Sequence, residues 1–168
     1  PEPLFPEHVM VDLEATSTDP RHCRVAEIGA VKVKGGEIVD RFSELVELPD
    51  DLTADERETL RTVCGLDPAS DFHDARPEAA VWADFCDFVG AAPLVAHNGQ
   101  RYDFRILRRL AEKHDAEARW AATYDLLPAA HELFPDLRRY DAGHLREQLL
   151  NDDTDTAHRA LADCEDQQ

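Results

Sequence analysis

Residues 8–15 read HVMVDLEA, an alternating stretch in which Val and Leu dominate and two acids, Asp12 and Glu14, stand two positions apart. Apolar alternation over this length predicts a strand with at least one buried face. On a strand, residues i and i+2 point to one face about 7 Å apart, so Asp12 and Glu14 share a side. Two like charges on a core strand cost several kcal/mol unless something neutralises them. A hard divalent cation does so, because Mg2+ takes carboxylate oxygens and keeps positions open for water and phosphate. The competing reading is plain solvation at the strand's exposed end. The triplet alone decides nothing, since D-x-E recurs at Asp115–Glu117 and Asp163–Glu165; the apolar context sets the first apart.

Working outward, Val25–Val33 and Ile38–Leu48, split by Lys34-Gly35-Gly36-Glu37, predict a hairpin behind that first strand. The period then turns helical over 53–60 and 77–89, the second helix placing Trp82, Phe85, Cys86 and Val89 on one side with Gly90 as its stop. Pro93–Ala96 predicts a fourth strand, and 102–113 an amphipathic helix with Phe104, Leu107 and Ala111 on its apolar side. A short fifth strand is expected at 121–124, with helices over 125–133, 141–149 and 157–166. Asn151–Asp155 reads as a polar loop, not a domain boundary. Three strands followed by alternating helices and strands define an α/β layer fold, one central mixed five-stranded sheet flanked by helices.

A chain of 168 residues fits a single domain, 1–168, with a real core. Its start at Pro1 and its end inside a helical pattern read as a piece excised from a longer polypeptide. Neither an apolar run of about 18 residues nor a signal segment is present, so the expectation is a cytoplasmic, reducing setting and no membrane partner. Cys23, Cys64, Cys86 and Cys164 form no C-x-x-C pair, which leaves reduced core thiols rather than a zinc knuckle or a disulfide framework. The 36 Asp and Glu against 18 Lys and Arg give −18. Taken by itself, that charge argues against a polyanionic partner.

Two further stretches carry chemistry. In LVAHNGQRYDFRIL, 94–107, the apolar strand ends at Ala96 and His97-Asn98-Gly99 turns the chain into the next helix, so Asp103 falls near that helix's first turn, where the dipole favours a carboxylate. An ordinary helix-start acid looks the same, and His97 by itself reads as a turn residue. In AHRALAD, 157–163, His158 and Asp163 are five apart. Five residues on a regular helix separate two side chains by about 140°, so the pairing works with His158 on the loop or a frayed first turn, capped by Thr154 or Thr156. A histidine is suited to accept a proton from water near neutral pH; the bland alternative is a capping or surface histidine.

In combination the three elements give four carboxylates and one histidine in a fixed order. The chain thereby resembles the DEDDh 3′→5′ exonucleases of the RNase H-like group, from VDLEAT through EIGAVKV and LVAHNG to AHRALADCE. It is similar to the proofreading subunit of bacterial replicative DNA polymerase and, in HNGQRYDF with its extra residue between His and Asp, to the three-prime repair exonucleases. The resemblance implies an RNase H-like exonuclease fold, Asp12, Glu14, Asp103 and Asp163 as ligands of two divalent cations, Mg2+ or Mn2+, and His158 as general base. It implies removal of 5′-mononucleotides from the 3′ end of DNA by a two-metal mechanism. It also implies terminal-nucleotide contacts at Ala15 and Thr16, and at His97, Asn98 and Tyr102. Ser17 stands where such motifs often place Gly, which bears on the pocket's shape rather than on the metals.

Arg101, Arg105, Arg108 and Arg109 recur at helical spacing and suit phosphate; of these, Arg101 and Arg105 are the expected substrate contacts. Two alternatives stand beside the DNA exonuclease: a 3′→5′ exoribonuclease of the same chemistry, and a catalytically silent nucleic-acid-binding scaffold within a larger repair or replication protein. A fused or associated polymerase or helicase fits the truncated look of the chain. The hairpin's second strand, about 38–47, offers either an edge for a second copy, making a homodimer, or an edge guarded by Glu44 and Glu47.

Overall fold

A computed structural model describes residues 6–133. The first strand, β1 (Glu7–Ala15), pairs antiparallel with β2 (Val25–Lys34), which pairs antiparallel with β3 (Glu37–Leu45). The hairpin turns on Gly35 and Gly36 at φ 58° and 84°, the left-handed pair that a tight two-residue turn requires and only glycine adopts freely. Helices α1 (Ala54–Thr62) and α2 (Glu78–Val89) follow, then β4 (Leu94–Ala96), α3 (Asp103–Lys113), β5 (Thr123–Asp125) and α4 (Leu126–Leu133). The sheet order is β3-β2-β1-β4-β5, with β4 parallel to both β1 and β5. This is the expected mixed five-stranded α/β sheet, and each expected element within the described residues is present to within a few positions. The clearest shift is in β3, which stops at Leu45; beyond it only a single bridge, Val46 to Arg76, continues the pairing.

Alternation on β1 divides its side chains between two environments. Val9, Val11 and Leu13 join Ile28, Ala30 and Leu94 under α2 and α3, whose buried faces supply Trp82, Phe85, Phe104, Leu107 and Leu110. Met10 packs on the opposite face with Val31, Val33 and Val95. Asp12 and Glu14 continue that second face toward the strand's carboxyl end. Helix α1 and the segment after it close the same end, Leu60 from the helix and Cys64 and Leu66 from beyond it packing with Ala26 and Leu52. Cys23, Cys64 and Cys86 are buried free thiols, as expected. No helix among the described residues is long and apolar enough to cross a membrane.

Helices expected at 141–149 and 157–166, together with His158, Asp163 and Cys164, lie outside the described residues.

Candidate active site

The site forms because β4 is short. β1 and β4 pair only at Val9–Leu94 and Met10–Val95, and β4 ends at Ala96 while β1 runs on to Ala15. Past that point the Leu13 N–H has no strand opposite it, and the Asp103 carboxylate fills the gap, its Oδ1 accepting that N–H at 3.1 Å. The first residue of α3 is thus fastened between Asp12 and Glu14. All three carboxylates line one cleft of about 440 Å3 at the carboxyl ends of two parallel strands, where open α/β sheets place their ligands.

The loop 97–102 shapes one wall. Asn98 stands at φ 56°, a left-handed position that Asn tolerates better than most residues. Its carbonyl accepts the Arg101 and Tyr102 N–H groups at 3.2 Å each, while its side-chain Oδ1 is buried with no hydrogen-bond partner among the described residues. Gly99 is required by close approach: a Cβ there would lie 2.6 Å from the Phe104 ring and 2.9 Å from the Ala96 Cβ. Tyr102 reaches across and donates its hydroxyl to the Ser17 carbonyl at 2.8 Å, tying this loop to the chain after β1.

The other wall comes from α1, which the sequence predicted as a helix but gave no means of placing. Thr53 and Glu56 form a reciprocal capping box at its start, and Thr59, Val63 and Cys64 face the cleft. The Cys64 thiol donates to the Ala15 carbonyl at 3.5 Å, and burial, with Glu14 beside it, pushes that thiol far above its ordinary pKa. It stays protonated and is unsuited to act as a nucleophile or a soft metal ligand.

Electrostatically the cleft is costly as it stands. Glu14 is 8% and Asp103 3% exposed. Burial, helped by the charge of Asp125, pushes the Asp103 carboxyl up to about 7 against the hydrogen bond from Leu13, which pulls the other way. Sequestered acids of this kind call for a positive partner, and the oxygen-only donor set suits a hard divalent cation. Among the described residues no three donors by themselves make a group that holds an ion; the fourth carboxylate of the expected set, Asp163, lies outside them.

Of the expected substrate contacts, Ala15, His97, Asn98, Arg101 and Tyr102 line the cleft, joined by Ser17 and Thr18. Thr16 does not: it is 1% exposed, and its hydroxyl accepts the Arg24 N–H at 3.0 Å and reaches Glu56 at 3.3 Å, so its side chain braces β1 against α1. The arginine row also divides. Arg101 stands exposed at the cleft, and Arg108 is exposed further along α3. Arg105 donates its Nε to the Gln100 carbonyl at 3.2 Å, and Arg109 is half-buried with its guanidinium on the Cys23 carbonyl. Of the two expected arginine contacts, Arg101 lines the cleft and Arg105 does not, while within the wider row Arg109 is held by the fold.

A carboxylate cleft at the carboxyl ends of β1 and β4, on a mixed sheet of this order, defines an RNase H-like exonuclease fold. Exonuclease I superposes with a TM-score of 0.80 at 19% identity over 95% of this chain and 39% of that one. E. coli exonuclease I in complex with a dA16 oligonucleotide superposes with a TM-score of 0.76 at 18% identity. The RNase T family, described as exonuclease, matches residues 9–166, and the chain belongs to it. Similar curated proteins include the PolC-type DNA polymerase III of Oceanobacillus iheyensis, 33% identical over 94% of this chain and 10% of that protein. The DNA polymerase III subunit epsilon of Aquifex aeolicus is 28% identical over 93% of this chain and 74% of its own length. The chain thus spans about a tenth of the PolC-type relatives it matches.

Proposed function

We propose that the chain hydrolyses DNA from its 3′ end, releasing 5′-mononucleotides. The observation that supports this most is the meeting of Asp12, Glu14 and Asp103, from two separate motifs, on one cleft in a chain of the exonuclease family. Asp12, Glu14 and Asp163, with Asp103, would hold two divalent cations, Mg2+ or Mn2+. Such ions supply charge neutralisation and a water acidic enough to ionise near neutral pH. His158 takes the proton of the attacking water. Arg101 meets a substrate phosphate at the cleft mouth with paired donors, and Tyr102 keeps the Ser17 segment in place beside the terminal nucleotide. The charge of −18 does not oppose this reading: four of the acids face four positive charges when the site is loaded, and Arg101 and Arg108 remain to attract the strand. The relatives support work alongside a polymerase, on the same longer polypeptide or as a bound partner.

Side-by-side digestion of 3′-labelled single-stranded DNA and RNA, with Mg2+, Mn2+ or EDTA, tests the proposal. DNA loses nucleotides one at a time from the labelled end, only with metal, and Asp12→Ala abolishes the release. Preferential digestion of RNA would replace DNA by RNA as substrate, and failure on both polymers would leave a binding scaffold.

A further inference from the structure

We propose that Asp125 is a positioning residue for the cleft loop 97–102, acting through the Gln100 peptide. Asp125 ends β5, and its two carboxylate oxygens are divided between two tasks. Oδ1 accepts the Leu127 N–H at 3.0 Å, capping α4, and Oδ2 accepts the Gln100 N–H at 2.9 Å. On its other side the Gln100 carbonyl receives the Arg105 Nε at 3.2 Å. The backbone of one residue is therefore held on both sides by side chains of opposite charge, its N–H by a carboxylate from β5 and its carbonyl by a guanidinium from α3.

That grip matters because of what flanks it. Asn98 holds a left-handed φ of 56°, a conformation that costs a non-glycine residue and persists only where the surroundings impose it. Gly99 is wedged against Phe104 and Ala96. Arg101, the residue after Gln100, is the exposed cation of the cleft. Asp103 has its own fastening on Leu13 and Tyr102 its own on Ser17, whereas Gln100, between Asn98 and Arg101, is held from outside the loop by Asp125 and Arg105. Releasing Gln100 therefore frees the part of the loop that meets substrate more than the part that holds Asp103.

The inference rests on the exonuclease reading, so the test carries one measurement without substrate. Asp125→Ser keeps a hydroxyl able to cap α4 but too short to reach Gln100; Asp125→Ala loses both bonds. In Asp125→Ser we expect a melting temperature close to the parent's, faster hydrogen exchange at the Gln100 amide, and a KM for a DNA oligonucleotide raised about tenfold or more with a smaller change in kcat. Asp125→Asn, which keeps one carbonyl oxygen, recovers part of the KM. Unchanged Gln100 exchange in Asp125→Ser overturns the proposal even if the parent digests no DNA. Faster exchange with an unchanged KM, or losses that only follow the melting temperature, equally overturn it and leave Asp125 a helix cap.

Discussion

The two ends of helix α3 are fastened by the same kind of bond and serve opposite purposes. At its first residue, Asp103 is drawn under the cleft and held by one backbone N–H. At its last residue and the one after it, Lys113 and His114 meet Glu78 of α2 at 2.6 and 2.8 Å. Burial pulls the Glu78 carboxyl upward, but the hydrogen bonds from Lys113 and His114 outweigh it and hold the group below the usual range. Asp103 goes the other way, raised by burial with no cation beside it among the described residues. One end of the helix is electrostatically satisfied and the other is left in deficit, which is how the proposed cation site differs from an ion pair that serves the fold.

The largest effect should come from filling that deficit artificially. Asp103→Asn keeps the acceptor for Leu13 and removes the charge, so nucleotide release falls by at least about a thousandfold while the chelated protein melts higher at pH 8. The sign follows from linkage: a folded-state pKa raised from 3.8 to about 7 favours folding at low pH, and that contribution is lost as pH rises toward and through 7. The asparagine variant loses this slope, and thermal melts from pH 4 to 8 in EDTA measure it. An equal slope in parent and variant would mean that Asp103 is not the buried charge inferred.

Next in size is Gly99→Ala, which has no room beside Phe104 and Ala96 and should cost about 1–3 kcal/mol of stability by chemical denaturation. Its effect should concentrate at the cleft end, leaving the Glu78 contacts intact. Arg101→Glu should weaken oligonucleotide binding and flatten its salt dependence, with Arg108→Glu doing so less because it stands away from the cleft. Equal effects at both positions would turn a local contact into a general field. The smallest change is Glu78→Gln, worth about 1 kcal/mol or less for a partly exposed pair. Here the lowered folded-state value puts the stability above the ordinary carboxylate range, to be lost as pH falls, the reverse of Asp103. Melts from pH 3 to 6 would show the parent losing this increment and the glutamine variant lacking it.

Much of this was legible along the chain. HVMVDLEA announced a strand with Asp12 and Glu14 on one side, Gly35-Gly36 announced its hairpin, and Phe104 and Leu107 announced the buried side of α3. The Arg101–Arg109 row was legible as a row but not in its division, because helical spacing says which residues share a side and not which neighbour waits there. Arg109 is claimed by the Cys23 carbonyl, 86 positions away. The bracing role of the Thr16 side chain was hidden for the same reason, its partner Glu56 lying on a helix whose docking no local pattern encodes. Asp125 escaped notice altogether, since an acid ahead of a helix reads only as a cap.

The sequence by itself determined the order and type of the described elements, the family and the candidate acids, because alternation, turn residues and motif spacing are properties of neighbours along the chain. Only the tertiary structure decided that β4 stops early enough for Asp103 to take the Leu13 N–H, that α1 forms a wall of the cleft, and that Asp125 grips the loop bearing Arg101. Those are contacts between residues up to 90 positions apart, and they depend on where strands end and helices dock, which the packing of the whole core sets and no local pattern records.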